Sequence, residues 1–141
     1  GVPVLGICYG HQLLAHALGG EVGYHPGGIE LGTVPVTLSE AARDDPLFAG
    51  LPPHFDAQAA HRQSVLRLPE GATLLASNNF EPHHAFRVGP RAWGVQFHPE
   101  FGEAATRAYV QTLNGDVPES AVRPTEAAAS VLPRFARIVR G

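Results

Sequence analysis

The chain has 141 residues, 44% of them hydrophobic, and a formal net charge of -3. This length suits one domain with its own core, and the acidic balance argues against a nucleic-acid-binding protein, which would need a basic surface. A single cysteine excludes an intramolecular disulfide and a multi-cysteine metal site, and no stretch of the sequence has the apolar length of a transmembrane helix.

The first predicted elements form a strand, a turn and a helix. Residues 3–7 are a short apolar run, which is typical of a buried strand in a parallel sheet. Apolar residues at helical spacing predict a helix over residues 11–18, and two glycines follow it as a C-cap. The turn between strand and helix is therefore abrupt.

The middle of the chain predicts mainly strands. Alternating residues indicate strands over 21–24 and 29–38, on either side of the turn His25-Pro26-Gly27-Gly28. Residues 40–53 predict a short helix and loop, in which Asp44-Asp45 forms a solvated turn. Three further strands are expected around residues 60–66, 73–76 and 84–88.

The last third combines one strong strand with helices. Residues 91–97 are rich in aromatic and branched side chains, and Trp93 is expected to pack in the core. Helical patterns cover residues 103–113 and 125–139, with a break at Asn114-Gly115 and with Pro133 inside the second pattern. Strands mixed with helices predict a layered α/β domain.

The stretch Gly6-Ile7-Cys8-Tyr9-Gly10 has the pattern of a nucleophile elbow with a thiol as the nucleophile. Glycines on both sides of Cys8 would allow the tight turn and the close approach of neighbouring backbones. The turn would also place the sulfur at a helix N-terminus, whose partial positive charge lowers the pKa of a thiol. The alternative is a buried and inert cysteine.

A second motif, His98-Pro99-Glu100, follows the predicted strand over residues 91–97. Residues two apart in extended backbone face the same side, so the imidazole and the carboxylate can point into one cleft. Pro99 favours extended backbone at His98. His98 could then act as base and acid for a cysteine, with Glu100 fixing the imidazole. The alternative is an unrelated surface pair at a strand end.

The other histidines carry a weaker signal. The chain has eight of them, but no spacing resembles a zinc-binding helix motif. His83-His84 is expected at a strand edge. We therefore predict no metal site.

Two stretches together resemble the class I glutamine amidotransferases. They are Pro3-Val4-Leu5-Gly6-Ile7-Cys8-Tyr9-Gly10-His11-Gln12 and Trp93-Gly94-Val95-Gln96-Phe97-His98-Pro99-Glu100, in the family's order and separation. The resemblance extends over nearly the whole chain and is strongest to the GMP-synthase-like group. It implies the layered α/β/α sheet of that family, which is flavodoxin-like.

The resemblance implies an enzyme that hydrolyses glutamine without a cofactor. Cys8 would attack the side-chain amide, release ammonia and leave a γ-glutamyl thioester for water to hydrolyse. His98 would be the general base and acid, and Glu100 would orient it. These three residues form the implied catalytic triad.

Four further residues are implied in substrate binding. The backbone N–H of Tyr9 would donate to the oxyanion, and the side chain of Gln12 would help to hold the glutamine. Ala60 and His61 match a segment that contacts the amino-acid end of the substrate. Relatives often have Ser-His there, so Ala60 is a departure from the family pattern.

The position of the nucleophile is a larger departure, because relatives have several strands and helices before it. We expect residues 1–141 to be a single domain of this family that is N-terminally incomplete and lacks one oxyanion donor. Loss of such a donor costs roughly 10²- to 10³-fold in rate, so activity of this chain alone is expected to be very low. An exposed apolar edge beside residues 3–7 is also expected, which would invite another strand or chain.

Partners and alternatives follow from the same resemblance. Ammonia would pass to a synthetase subunit, or the protein would act alone or as a homo-oligomer. A cytoplasmic location, without nucleic-acid or membrane partners, is expected. A γ-glutamyl peptidase with the same three residues is an alternative activity, and a truncated, non-catalytic binding module is an alternative to any enzyme.

Overall fold

The computed structural model describes residues 1–113 and 121–141, so the predicted break at Asn114-Gly115 lies outside the described residues. The strands within them are β1 (Val4–Ile7), β2 (Glu21–Tyr24), β3 (Glu30–Leu38), β4 (His54–His61), β5 (Gln63–Arg67), β6 (Thr73–Ser77), β7 (Ala85–Val88) and β8 (Ala92–Val95). The helices are α1 (Tyr9–Ala17), α2 (Glu103–Thr112), α3 (Glu126–Ala129) and α4 (Val131–Arg140), with a 3₁₀ helix at Glu40–Asp44.

Six of the strands form one mixed sheet, in the order β1-β8-β7-β6-β3-β4. The β1–β8 pair is parallel, with Gly6 opposite Gly94, whereas the other pairs are antiparallel. The predicted α/β class is confirmed. Because β1 and β8 run in the same direction, the segments that follow them leave the sheet at the same edge.

A small second sheet corrects one predicted strand. Strands β2 and β5 pair with each other, so the turn at residues 25–28 separates strands of two different sheets. The strand predicted over residues 60–66 is divided in the structure, because β4 ends at His61 and β5 begins at Gln63. The sequence pattern missed most of β4, whose buried positions include the small residues Ala57 and Ala59 and so give little apolar contrast.

The main core lies against the large sheet and contains a buried carboxylate. Trp93 is 1% exposed and packs there as predicted, among neighbours that include Phe97. Its indole Nε1 donates to both oxygens of Asp45, at 3.1 and 3.0 Å. The Leu47 N–H donates to Asp45 at 2.9 Å. The prediction of a solvated turn is therefore wrong for Asp45, since this carboxylate takes up the polar group of the tryptophan.

The C-terminal helical pattern divides into two helices. Helix α3 ends at Ala129 and α4 begins at Val131, within the single helix predicted over residues 125–139. Pro133 lies in the first turn of α4, where backbone N–H groups lack a partner within the helix. The proline is therefore tolerated without a kink in the helix interior.

Strand β1 has an open side. It pairs with β8 on one edge, and no other strand of the described chain pairs with it. Val4 is 43% exposed, so the strand is not buried on both sides as its composition suggests. This exposure agrees with the expected apolar edge. No helix among the described residues combines the length and the apolar character needed to cross a membrane.

Candidate active site

Cys8 occupies a strained turn between β1 and α1. Its φ is 52° and its ψ is -102°, and it is the one non-glycine residue of the described chain with a positive φ. Such a conformation costs on the order of 1–3 kcal/mol and is concentrated at functional sites. A Cβ on Gly6 would overlap the Gly10 carbonyl, whereas a Cβ on Gly10 would meet open space. Only the first glycine is therefore required by the turn.

The Cys8 sulfur is partly buried and has two polar neighbours. The thiol lies 3.7 Å from the Ala60 carbonyl oxygen, to which it donates, and 3.6 Å from Gln96 Nε2, from which it accepts. Burial raises the pKa of Cys8, and the charge of Glu100 adds to this. The Tyr9 N–H and Gln96 lower the pKa, but they do not reverse the shift. The expected low thiol pKa is therefore wrong for this state, because desolvation outweighs the helix terminus.

His98 and Glu100 form the predicted pair. His98 Nδ1 lies 3.0 Å from Glu100 Oε2, and the backbone N–H of His98 donates to the Gln58 carbonyl at 2.8 Å. The imidazole also stacks on Phe101, with ring centroids 4.0 Å apart. A proton on Nδ1 satisfies the carboxylate and leaves the Nε2 lone pair free to act as a base.

The Cys8 turn and the His98–Glu100 pair are joined less directly than the two residues of the pair are. In the described structure, no hydrogen bond joins His98 to the Cys8 sulfur. Gln96, two residues before His98 in the chain, lies 3.6 Å from the sulfur, so the two motifs meet at the same edge of the sheet. Contacts of this kind often tighten only when substrate binds, and the His98–Cys8 hydrogen bond remains a prediction.

A cavity of about 330 Å³ adjoins the sulfur. This volume is at the small end of ligand pockets and suits an amino acid. Its lining includes Cys8 and all four residues predicted to bind substrate, which are Tyr9, Gln12, Ala60 and His61. The structure thus brings together residues that are more than a third of the chain apart in sequence.

Arg62 also lines this cavity, and no sequence pattern gave it a role. The side chain is exposed, and in the part of the chain described here it has no carboxylate partner. No carboxylate lines the cavity on the described residues either. The pocket mouth is therefore positively charged, which favours an anionic group on a ligand.

Behind the cavity lies a group of ionisable side chains, Glu30, His61, Glu81 and His84, which we call the buried charge cluster. Each of them is at most 6% exposed. Glu30 Oε1 lies 2.7 Å from His61 Nε2 and 2.9 Å from His84 Nε2. Ligand atoms of these three residues lie within 4.8 Å of one another, as they would in a metal site. The separations of Glu30 from His61 and from His84 are those of hydrogen bonds and ion pairs. A proton on a histidine can therefore balance the carboxylate, and the cluster needs no metal cation.

The hydrogen bonds of His61 indicate that it is charged. Its Nε2 faces Glu30, and its Nδ1 lies 2.9 Å from the Gln63 carbonyl oxygen, so both ring nitrogens face acceptors. Burial alone would lower the pKa of His61, but the bond to Glu30 raises it overall. Burial likewise opposes the charge of Glu30, yet His61 and His84 hold the pKa of this carboxyl well below its usual value. The pair is therefore an imidazolium and a carboxylate.

Other atoms of this region are incompletely satisfied. Both ring nitrogens of His84 and one oxygen of Glu81 are buried without a well-aligned hydrogen bond, although His84 Nε2 is close to Glu30. His84 directly precedes β7, at the edge of the strand as predicted, and it is fully buried. His11 is also fully buried, which lowers its pKa to about 3 and keeps the ring neutral. No sequence spacing could have identified this cluster, because its members come from separate segments.

One protein family matches this chain over most of its length. The family model described as glutamine amidotransferase class-I matches residues 1–112. The glutamine-hydrolyzing GMP synthase of Aeropyrum pernix is 46% identical over 100 residues, which are 71% of this chain and 19% of that protein. One subunit of the glutamine-hydrolyzing GMP synthase of Methanocaldococcus jannaschii is 39% identical over 100 residues, which are 70% of this chain and 51% of that polypeptide.

A solved structure supports the same relationship. The crystal structure of a glutamine amidotransferase from Thermotoga maritima matches with a TM-score of 0.80 and 27% identity. The match covers 99% of this chain and 63% of that structure. The chain therefore spans less than two thirds of these relatives, and about one fifth of the long GMP synthases.

Proposed function

Because the chain belongs to the class I glutamine amidotransferase family, we propose that it hydrolyses glutamine to glutamate and ammonia, with Cys8 as the nucleophile. The observation that carries this proposal is the conformation of Cys8. A strained turn holds the thiol at the start of α1 and on the wall of a cavity. The hydrogen-bonded His98–Glu100 pair follows shortly after Gln96, whose side chain contacts the sulfur. These are the components of nucleophilic catalysis by a thiol.

The reaction begins with a proton transfer. His98 Nε2 takes the thiol proton, and the electron pair left on the sulfur of Cys8 attacks the side-chain carbonyl carbon of glutamine. The Tyr9 N–H donates to the oxyanion that forms. When the C–N bond breaks, His98 returns the proton to the nitrogen, which leaves as ammonia. Glu100 stabilises the imidazolium between these steps.

The second half of the reaction removes the γ-glutamyl group. Water attacks the thioester carbonyl while His98 takes one of its protons. The C–S bond breaks, the proton returns to the sulfur, and glutamate leaves. The chemistry needs no redox partner and regenerates Cys8 as a thiol. His98 therefore acts as base and acid in both halves.

The substrate would lie in the cavity of about 330 Å³. Gln12, Ala60 and His61 line it. Gln12 is proposed to help to hold the glutamine, and Ala60 and His61 to contact its amino-acid end. We assign the exposed guanidinium of Arg62 to the α-carboxylate, because this charge has no partner in the described chain and a carboxylate matches it. The acidic groups of the buried charge cluster lie behind this wall rather than in the cavity.

The ammonia acceptor is proposed to be a separate synthetase. The Methanocaldococcus jannaschii relative is named as one subunit of GMP synthase, so a GMP-forming synthetase polypeptide is the first partner to test. A homo-oligomer is the alternative assembly. We also propose that residues 1–141 form one domain that lacks N-terminal strands, since the chain covers 63% of the Thermotoga maritima structure. A cytoplasmic location remains a prediction.

The proposed function is tested with two substrates and one label. Purified chain is assayed for ammonia and glutamate from glutamine, and for hydrolysis of a γ-glutamyl peptide, with Cys8→Ser as the control. A glutamine-analogue electrophile is then added, and the modified residue is found by mass spectrometry. We expect modification at Cys8 and slow glutamine hydrolysis, which increases when the missing N-terminal strands are supplied.

Each contrary outcome identifies one alternative. Preferential hydrolysis of the γ-glutamyl peptide would make the protein a γ-glutamyl peptidase with the same residues. An unmodified Cys8 and no hydrolysis, with or without N-terminal strands, would favour the non-catalytic module. Equal modification of Cys8→Ser would show that another residue is the nucleophile.

A further inference from the structure

Gln96 follows β8 directly and contacts the reacting atom of the site. Its side chain is fully buried, and its Nε2 lies 3.6 Å from the Cys8 sulfur. Its backbone N–H donates to the His84 carbonyl at 2.7 Å. A buried amide next to a sulfur has a defined orientation only if its oxygen is also bound, so the contacts of the Gln96 oxygen decide what the sulfur meets.

A continuous set of hydrogen bonds fixes that orientation. Gln12 Nε2 donates to the Gln63 carbonyl at 2.8 Å and to Gln96 Oε1 at 3.2 Å. A backbone carbonyl can only accept, so the nitrogen of Gln12 must point toward Gln63. The oxygen of Gln96 must then face Gln12. The nitrogen of Gln96 is left facing the sulfur of Cys8.

The far end of this set is anchored by charge. The Gln63 carbonyl also accepts from Nδ1 of His61, at 2.9 Å, and the other nitrogen of His61 is held by Glu30 at 2.7 Å. The ion pair therefore holds the carbonyl that sets the orientation of Gln12. The buried charge cluster is therefore linked to the thiol through the Gln63 carbonyl, which accepts from both His61 and Gln12. From Gln12 onward, each amide donates toward the sulfur.

The two polar neighbours of the sulfur suit different forms of Cys8. The Ala60 carbonyl accepts from the S–H bond and so favours the thiol. The Gln96 N–H can only donate, and a donor interacts more strongly with an anion than with a neutral acceptor. Loss of the proton therefore weakens the first contact and strengthens the second.

We propose that Gln96 is a catalytic residue, whose side-chain N–H stabilises the sulfur of Cys8 after its proton has passed to His98. The role rests on the proposed function, in which Cys8 is the nucleophile. The S–H bond breaks, an N–H bond forms on His98, and the electron pair remains on the sulfur. The Gln96 N–H then offsets part of the desolvation of that charge. Through its bond to Gln96 Oε1, Gln12 also acts as a positioning residue for Gln96, beside its proposed contact with the substrate.

Other charges near the sulfur set the background for this effect. Glu100 opposes a negative charge on Cys8, while the N-terminus of α1 favours it. The remaining titratable groups at the cavity or on the adjoining segment are Tyr9, Tyr24, His61, Arg62 and His98. All of them are unchanged in a variant of Gln96, so a shift in such a variant reports the amide alone.

The test measures the rate at which iodoacetamide alkylates the full chain as a function of pH. Cys8 is the one cysteine of the sequence, so the rate belongs to this sulfur. We expect Gln96→Leu to shift the profile to higher pH and to slow alkylation at neutral pH about tenfold, because a hydrogen bond to a charged group is lost. The rate at the high-pH plateau should not change. Gln96→Glu, of equal size, should slow neutral alkylation further, since its carboxylate faces the sulfur.

Gln58→Leu is the matched control. Gln58 is also a fully buried glutamine, but its side chain binds Arg123, Thr125 and Thr33 instead of the sulfur. This variant should lose stability and keep the wild-type profile. A Gln96→Leu profile that superimposes on wild type would overturn the proposal. If Gln96→Leu does not fold, an alkylation profile of Gln96→Glu that is not shifted from wild type would overturn the proposal.

The proposed function has a separate readout. The proposed function is contradicted if wild-type protein hydrolyses neither glutamine nor a γ-glutamyl peptide, even with the missing strands supplied. In that case the alkylation profiles still decide whether Gln96 stabilises the anion. Hydrolysis that survives unchanged in Gln96→Leu, together with a shifted profile, would show that the contact exists but is not catalytic, and would overturn the catalytic role.

Discussion

Two regions of this molecule bury carboxylates among different partners. In the main core, Asp45 accepts from the indole of Trp93 and from the Leu47 N–H, and its Oδ1 also lies 3.1 Å from Arg87 Nε. In the buried charge cluster, one oxygen of Glu81 and both nitrogens of His84 lack well-aligned partners. In the core, the Asp45 carboxylate accepts the indole N–H of Trp93, so the ring can be buried without an unpaired donor. The cluster keeps charge and unsatisfied atoms next to the cavity, at a cost in stability.

The largest effect should come from the strained turn itself. Cys8→Gly should reduce glutamine hydrolysis to background, a loss on the order of 10⁴-fold or more for a nucleophile. The same change should raise the free energy of unfolding by about 1 kcal/mol, because glycine accepts the positive φ of Cys8 without strain. Activity assays and urea denaturation measure the two quantities. A variant that loses both activity and stability would contradict the view that strain is stored at the site.

The core side of the comparison is tested at Trp93. Trp93→Ala should lower the free energy of unfolding by about 3 to 5 kcal/mol, because it opens a cavity and leaves Asp45 without its indole donor. Trp93→Phe retains most of the packing and should lose less. Denaturation of both variants gives the difference. Equal losses would show that the hydrogen bond to Asp45 dominates over packing.

The cluster side is tested by Glu30→Gln, which leaves the His61 imidazolium without its counter-charge. We expect a loss of about 3 kcal/mol near pH 6, where the wild-type pair is charged. The raised pKa of His61 contributes stability that is full below about pH 6.5 and is lost as pH rises through the folded pKa. The lowered pKa of Glu30 contributes stability above about pH 4.3 that is lost as pH falls. In Glu30→Gln, the free energy of unfolding should change less steeply with pH in both of these ranges.

An exposed ion pair provides the control for that experiment. Glu21 lies 3.8 Å from Arg67, and both side chains are more than 60% exposed. Glu21→Gln should change the free energy of unfolding by less than about 1 kcal/mol and keep the wild-type pH dependence. Urea denaturation between pH 4 and 9 compares the two variants. A Glu30→Gln variant that behaves like Glu21→Gln would show that the buried pair is not charged.

The smallest effects separate the two glycines of the elbow. Gly6→Ala should destabilise by about 1 to 3 kcal/mol and slow modification of Cys8, because its Cβ would overlap the Gly10 carbonyl. Gly10→Ala, within α1, should change stability by no more than about 1 kcal/mol, and in the stabilising direction. Thermal denaturation with electrophile labelling tests both. Equal stability and equal modification rates of the two variants would show that the contact between residue 6 and the Gly10 carbonyl does not limit the turn.

The sequence predicts the elbow and the His98–Glu100 pair well, because each is a local motif whose geometry depends on adjacent residues. It predicts the thiol pKa poorly, since burial of Cys8 depends on segments far along the chain. Strand β4 was missed because its buried face is built partly from alanines.

Long-range contacts explain the other omissions. Glu30 lies at the start of β3, whereas Glu81 and His84 lie between β6 and β7, so no local spacing joins Glu30 to the other two. The role of Gln96 is hidden in the same way, because its sulfur partner is 88 residues away. Local patterns therefore indicate the nucleophile, while the groups that tune it require the folded chain.

The parallel pairing of β1 with β8 has a consequence for folding kinetics. These strands are among the first and last of the described chain, so their contact closes a very long loop, and such contacts form slowly. During synthesis the thiol emerges long before Val95 and Gln96 can reach it. The Cys8 side chain is therefore open to oxidants in the nascent chain, and the candidate active site is among the last parts of the molecule to assemble.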